Sequence, residues 1–394
     1  MLDGWKTIRL GEISKITSGI SPSNFQMKKN GIPYYKVEQL NLSNKYLEST
    51  PYHIDSCKNL VDKSSIIFPK RGASIMLNKI RLLRFDSFMD TNLMTLTINN
   101  DYSFEYIYYY LLFSNLSEVA DTTSVPQINN KHIIPYEILI PERKCEQEAI
   151  ARALSNIDYL IDYLQKLVAK KNKLFEASKQ NLLCGVHRHG LWKKVRIGDI
   201  GIFDGNGVDK KINKGEKKVR LLNYMDIMHN DFIYDNMSKH FVTASDEKYN
   251  KCLVKKGDIF LTPSSETRED IGVSAVALED SDDLVYSYHI VRFRPTIDMD
   301  MKFRAYLFQN QKFLNQASKY CEGSGKRYVC SNKKFASFEL EIPLDVNEQA
   351  EIGNILYDME SEIKMLKDKL SKYKRIKDGM MEDLLTGKVR LSYE

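Results

Sequence analysis

After Pro141, apolar side chains return at every seventh residue, Leu154, Ile161, Val168, Phe175 and Leu182, while Ile150, Ile157 and Leu164 fill the alternate position. Two interleaved lines of this kind are the a and d positions of a helix that pairs with another helix. A stretch after Pro343 repeats the pattern, with Leu356, Ile363, Leu370 and Leu384 on one line and Ile352, Met359, Leu366, Tyr373 and Met380 on the other. Polar residues interrupt both seams, at Lys171 and Ser178 in the first and at Lys377 in the second. Leu160, Leu167 and Leu174 widen the first apolar face beyond a two-stranded seam and predict that further helices pack there. Each stretch ends at a glycine, Gly185 or Gly387, the residue type that tolerates a left-handed cap, and Asp345 with Glu348 has the spacing of a capping box at the second start. Some forty helical residues span roughly 60 Å, too long for a globular core, so the pattern predicts two long antiparallel helices acting as a spacer.

Between these stretches the period changes to that of strands. IPYYKVEQL, SSIIF, LMTLTI and YEILI in the first half, and KKVRLLNYM, GDIFLT, HIVRFRP and FELEI in the second, are short β-rich runs separated by Gly, Pro, Asn and Ser. One aromatic helical stretch is expected per half, FEYIYYYLLF and FRAYLFQNQKFL, its tyrosines filling the core. The halves also share wording. WKTIRLGEI (Trp5 to Ile13) returns as WKKVRIGDI (Trp192 to Ile200), KNLVDKSSIIF as KCLVKKGDIFL, IPERKCEQEAI (Ile140 to Ile150) as IPLDVNEQAEI (Ile342 to Ile352), and LLCG as LLTG. A repeat this long is a duplicated domain pair rather than a solenoid. The predicted class is α+β: two mixed α/β domains, residues 1–142 and 188–344, each followed by a spacer helix, 143–187 and 345–394.

Composition narrows the function. Lys and Arg total 58 against 52 Asp and Glu, so the net charge of +6 is mild and a nucleic-acid surface has to be local. The six cysteines show neither C-x-x-C pairing nor a histidine at zinc spacing, so no metal is expected. MLDGWKTIRLGEI lacks the character of a signal peptide, and no apolar run reaches the ~20 residues a membrane span needs; a cytoplasmic protein is expected.

Catalytic constellations do not emerge. FDGNGVDK (Phe203 to Lys210) is glycine-rich without a dinucleotide fingerprint, and EGSGKR (Glu322 to Arg327) fails the phosphate-loop pattern because Tyr320 and Arg327 stand where Gly and Ser or Thr belong. His187 and His189 read as linker residues, and Asp282 with Asp283 as a turn. Basic and amide-rich segments instead recur at matching places. The first half has MKKN (Lys28, Lys29), PKRGAS (Lys70, Arg71), NKIR (Lys79, Arg81) and TTSVPQINNK (Gln127, Asn130, Lys131). The second has DKKINKGEKK (Lys210, Lys211, Lys214), TPSSETR (Ser265, Arg268) and GSGKRYVCSNKK (Lys326, Arg327, Tyr328, Asn332, Lys333). Lys and Arg neutralise phosphates, and Asn, Gln and Arg make the bidentate contacts that distinguish purine edges, so these segments are the candidate DNA-binding residues.

The block order, the W-K-x-[IV]-R-[LI]-G-[ED]-I openings, the I-P followed by E-Q-x-x-I-x-x-[IL] at each helix start and the L-L-x-G exits resemble the specificity subunit of a Type I restriction-modification system. The resemblance implies two target-recognition domains, each reading one half of a bipartite, asymmetric sequence in double-stranded DNA, with the helices as a ruler. It implies two modification subunits that bring S-adenosylmethionine, two restriction subunits that use ATP and Mg, and no cofactor or catalysis on this chain. Partner docking is then expected on the helices, at Glu146, Gln147, Leu160, Leu167, Leu174, Glu348 and Gln349. The alternatives are a non-specific DNA-binding coiled-coil scaffold, whose binding would collapse with salt, and a self-sufficient nuclease, which would cleave alone.

Overall fold

The computed structural model describes residues 3–55, 60–122, 125–184 and 190–391. They fall into two compact units, Met1–Gln165 with Asp368–Glu394, and Lys166–Lys367. In unit 1 the chain forms strands β1 (Trp5–Arg9), β2 (Ser14–Ser18), β3 (Tyr46–Leu47), β4 (Ile66–Pro69), β5 (Arg81–Leu83), β6 (Leu93–Ile98) and β7 (Glu137–Pro141), then the helix α1 (Lys144–Leu183). The main sheet has the order β2-β6-β4-β5-β3, antiparallel except for the β3–β5 pair. Unit 2 repeats the plan with β8 (Trp192–Arg196), β9 (Gly201–Asp204), β10 (Phe232–Ile233), β11 (Ile259–Leu261), β12 (Ser264–Ser265), β13 (Ser274–Ala277), β14 (Val291–Pro295), β15 (Glu322–Ser324), β16 (Arg327–Val329), β17 (Glu339–Pro343) and the helix α2 (Val346–Leu385). Its main sheet runs β9-β14-β11-β13-β10, again with only the outermost pair parallel.

The repeated phrases are partners in space. β1 pairs antiparallel with β7, Trp5 opposite Pro141, and β8 pairs with β17, Trp192 opposite Pro343. The opening phrase and the helix-start phrase of each half are therefore two sides of one ribbon. At its end a buried glutamine ties strand to helix: Gln147 Nε2 donates to the Pro141 carbonyl (2.8 Å) and its Oε1 accepts from Ser103 N (2.8 Å). Gln349 does the same with Pro343 (2.9 Å) and Asp300 N (2.9 Å).

Each unit takes a part of both long helices into its core. In unit 1, Ile150, Ala151 and Leu154 pack with Met381, Leu384 and Leu385 beneath the sheet. In unit 2, Phe175 and Leu183 share a core with Ile352, Leu356 and Ile363. The helices are antiparallel in both, and two of the three polar breaks in the seam are interhelical ion pairs: Lys377 Nζ lies 2.6 Å from Asp158 in unit 1, and Lys171 Nζ 2.7 Å from Glu362 in unit 2. Past α2, Gly387 adopts φ +73°, the conformation a left-handed cap requires; Gly185, His187 and His189 lie outside the described residues.

Two expectations change in detail. FRAYLFQNQKFL is not one helix, because Asn310 accepts from Lys312 N and starts a second helix, Gln311–Tyr320, after Met301–Tyr306. The box at the start of α2 is half made: Asp345 accepts from Asn347 N (2.9 Å), but Glu348 turns away to accept the Trp192 indole N–H (2.8 Å). In the helix Phe104–Phe113, Tyr106, Tyr108 and Tyr109 are fully buried with their hydroxyls donated to the Leu139 carbonyl, the Asn44 carbonyl and Asp158. No helix among the described residues is long and apolar enough to cross a membrane.

Candidate nucleic-acid interface

Antiparallel neighbours bring alternate strand ends to one edge of each sheet. In unit 1 the end of β2 and the start of β6 meet there (Ser18 opposite Met94), beside the end of β4 (Pro69 opposite Leu93). The segment after β4 crosses this edge. Lys70 N donates to the Asn92 carbonyl (2.8 Å), and its ammonium reaches Ser18 Oγ (3.3 Å). Arg71 forms an antiparallel bridge with Gln127, flanked by Gly72 N donating to the Pro126 carbonyl and Ile128 N to the Lys70 carbonyl (both 2.9 Å). Asn130 and Lys131 follow at once, in a short helix capped by Asn129. Backbone pairing thus gathers Lys70, Arg71, Gln127, Asn130 and Lys131 at one edge.

The remaining candidates of unit 1 lie elsewhere or are engaged. Lys28 sits on a two-residue strand paired with His53–Ile54, its ammonium 2.7 Å from Asp55, and Lys29 follows it, exposed. Lys79 donates to Asn41, and Arg81 donates to the Ser43 and Ile80 carbonyls (both 2.7 Å). Burial pushes the Arg81 guanidinium below its ordinary pKa.

Unit 2 builds the same edge from β9, β14, β11 and β13, with Asp204 opposite Arg292 and Leu261 opposite both Val291 and Ser274. EGSGKR, the failed phosphate loop, is a hairpin: β15 and β16 join β12 in an exposed three-stranded ribbon with Lys326 in the turn. Arg327 donates to Ser264 Oγ (3.3 Å), while the Arg268 guanidinium lies over the Tyr328 ring (4.6 Å) and donates to the Ser318 carbonyl (3.2 Å). Ser265 donates to Asp270 (3.3 Å). Cys330 N donates to the Pro263 carbonyl (2.8 Å), bringing the helix Asn332–Ser337 to this edge, and a Cβ on Gly205 would meet the Asn332 amide at 3.4 Å; Lys333 beside it is exposed. Lys210 and Arg327 both face His289; burial first, and then these two cations, hold its imidazole below its ordinary pKa. Lys211 and Lys214 are exposed on the loop beyond, where the Lys211 carbonyl accepts from Thr243 N (3.1 Å).

Thr91, Asn92, Tyr288 and His289 also stand at these edges; HIVRFRP reads as a strand from His289 onward, and the runs LMTLTI and HIVRFRP leave Thr91, Asn92 and Tyr288 outside them. The signal available was position alone, a polar or aromatic pair just before a strand that starts beside the basic segments.

The helix-start residues expected at a partner contact are engaged within their own units. Glu146, Gln147, Glu348 and Gln349 are buried. Glu146 accepts two bonds from the Arg390 guanidinium (3.0 and 2.8 Å), Glu348 holds Trp192, and the glutamines clamp strand to helix. These four side chains tie strand, helix and C-terminal segment together within their own units. Leu160 and Leu167 are half-buried and Leu174 is exposed on α1, where Tyr159 and Tyr163 also stand out. Among the described residues no group of three or more His, Cys, Asp or Glu side chains is placed to hold a metal ion.

Comparison with known proteins agrees in sequence and in fold. The family profile described as Type I restriction modification DNA specificity domain matches twice, at residues 2–173 and 190–374. The specificity subunit of the Type I restriction enzyme MjaVIII from Methanocaldococcus jannaschii is 25% identical over 420 aligned positions, covering 99% of this chain and 94% of that protein. The crystal structure of a Type I restriction-modification S subunit from M. genitalium superposes with a TM-score of 0.61 at 15% identity, covering 99% of this chain and 97% of that one. A chain from a structural study of assembly and conformational transition in a Type I system superposes with a TM-score of 0.57 at 13% identity, covering 97% and 98%.

Proposed function

Because the chain belongs to the family of Type I restriction-modification DNA specificity subunits, we propose that each unit reads one half of a bipartite, asymmetric DNA site with the sheet edge described above. The family is the non-catalytic DNA-recognition component of these systems, and it acts in a complex with DNA and other restriction-modification subunits. The observation that carries the reading is that two edges of the same topology bear different side chains: Arg71 opposite Gln127 in unit 1, and Ser264 opposite Val329, with an added ribbon, in unit 2. Lys and Arg at each edge fix register on phosphates while amides, aromatics and Arg71 meet bases. In our reading, residues 1–142 and 188–344 are the recognition domains and the helices in 143–187 and 345–394 set the spacing between half-sites. Two modification subunits carrying S-adenosylmethionine dock on the exposed apolar positions of the helices, Leu174 first among them. Two restriction subunits supply ATP- and Mg-dependent chemistry, and the complex works in the cytoplasm.

Selection from a randomised duplex pool by the chain assembled with its modification subunits tests this. A split, non-palindromic motif with an unspecified middle is expected. A palindromic motif contradicts the two-reader account, and an unselected pool whose binding simply falls with salt supports the scaffold reading.

A further inference from the structure

Counted from Trp5 and Trp192, which open the two repeats, Thr17 and Asp204 occupy the same place, and their partners across the ladder are Thr95 and Arg292. The turn just before that strand is then Thr91–Asn92 in unit 1 and Tyr288–His289 in unit 2. Both turns lie at the basic edge and both are pinned by backbone. In unit 1 the Asn92 carbonyl accepts from Lys70 N (2.8 Å) and Asn92 N donates to Asp90 (2.8 Å), whose own N–H donates to the Tyr35 carbonyl (2.9 Å). Thr91 is left exposed. In unit 2 Tyr288 N donates to the Val208 carbonyl (3.1 Å), and the neighbouring loop presses so close that a Cβ on Gly207 would lie 2.3 Å from the Ser287 carbonyl group. The rings of Tyr288 and His289 lie with centroids 3.9 Å apart and planes tilted by 37°, Tyr288 remains 48% exposed, and the charges of Lys210 and Arg327 act on the His289 imidazole.

A half-exposed aromatic pair close to cations suits contact with a base, through a thymine methyl or a ring face, and a neutral imidazole offers one donor and one acceptor to a base edge. A threonine hydroxyl beside an asparagine amide suits an adenine edge. Resting on the reading that each unit recognises a half-site, we propose that this two-residue turn is a base-reading position of both units, Thr91–Asn92 for one half-site and Tyr288–His289 for the other. The same fold position then supplies different chemistry to each half, and the turn helps make the site asymmetric.

The test compares methylation by the native chain, assembled with its modification subunit, with that by two double variants, Y288T/H289N and T91A/N92A, on duplexes carrying every single-base change. Each variant is expected to lose about tenfold discrimination at one base pair of its own half-site, while the other half-site keeps its native preferences. Methylation that falls equally on all duplexes, or stays unchanged, overturns the proposal. Should Y288T/H289N fail to assemble, H289Q and T91A/N92A carry the same decision. A native complex that methylates no split motif would instead overturn the underlying half-site reading.

Discussion

Tyr109 in unit 1 and Tyr306 in unit 2 stand at matching positions of their aromatic helices, and each donates its hydroxyl to a carboxylate on a long helix: Asp158 at 2.7 Å in the first, Glu360 at 2.7 Å in the second. The surroundings of the two acids differ. In unit 1 Lys377 reaches Asp158 at 2.6 Å, each side chain about a fifth exposed. In unit 2 the matching place on the partner helix is held by Phe175, whose ring packs edge-on against Tyr306 (6.4 Å). Asp231 is the second acid there, and Lys179, a cation that acts on Glu360, is bonded to Glu176 and Gln309 instead. Burial, followed by Asp231, pushes Glu360 up to about 8. One fold position thus holds a paired charge in one unit and a proton in the other. The duplication kept the tyrosine–acid contact and let its electrostatics diverge.

The largest effect is expected at Lys377. K377M strands Asp158 in a partly desolvated place and is expected to cost unit 1 about 3 kcal/mol, read as faster hydrogen exchange in Phe104–Phe113 with little change in Met301–Tyr306. Next, Glu360 makes unit 2 sensitive to pH. In the unfolded chain it ionises near its ordinary 4.5, whereas in the fold it keeps its proton to about 8. Protection of Met301–Tyr306 therefore falls as pH rises across that window and levels off above it. E360Q is expected to flatten this slope, and an unchanged slope would place the titrating group elsewhere. A smaller difference separates the hydroxyls: Y109F, losing a bond to an ionised acid, should cost about 2 kcal/mol, and Y306F at pH 6, losing one to a neutral acid, about 1 kcal/mol by denaturant titration. The least effect is expected from K28A, whose exposed pair with Asp55 contributes under ~0.5 kcal/mol.

The elements were legible where a local period or a repeated phrase carries them. The strands Leu93–Ile98 and Val291–Pro295 and both 40-residue helices follow from alternation and heptads. The repeats mark the β1–β7 and β8–β17 ribbons that launch the helices, where a particular tryptophan, proline and glutamine are each required by a contact. The candidate interface was legible only as basic segments. Backbone bridges such as Arg71 with Gln127 decide which of them meet, and those link residues far apart in the chain. Lys171 and Lys377 showed as breaks in a seam, yet their partners, Glu362 and Asp158, lie on the opposite helix. Glu146 and Glu348 looked like surface because the residues that cover them, Arg390 and Trp192, are likewise distant in sequence.

The most direct test of the whole account is to map methylated adenines in DNA from cells that express this chain with its modification subunit, beside cells that lack the chain. The account predicts chain-dependent methylation in a motif of two unlike halves separated by an unspecified middle. Equal methylation patterns in the two cell lines, with the assembled complex shown to be present, would contradict it.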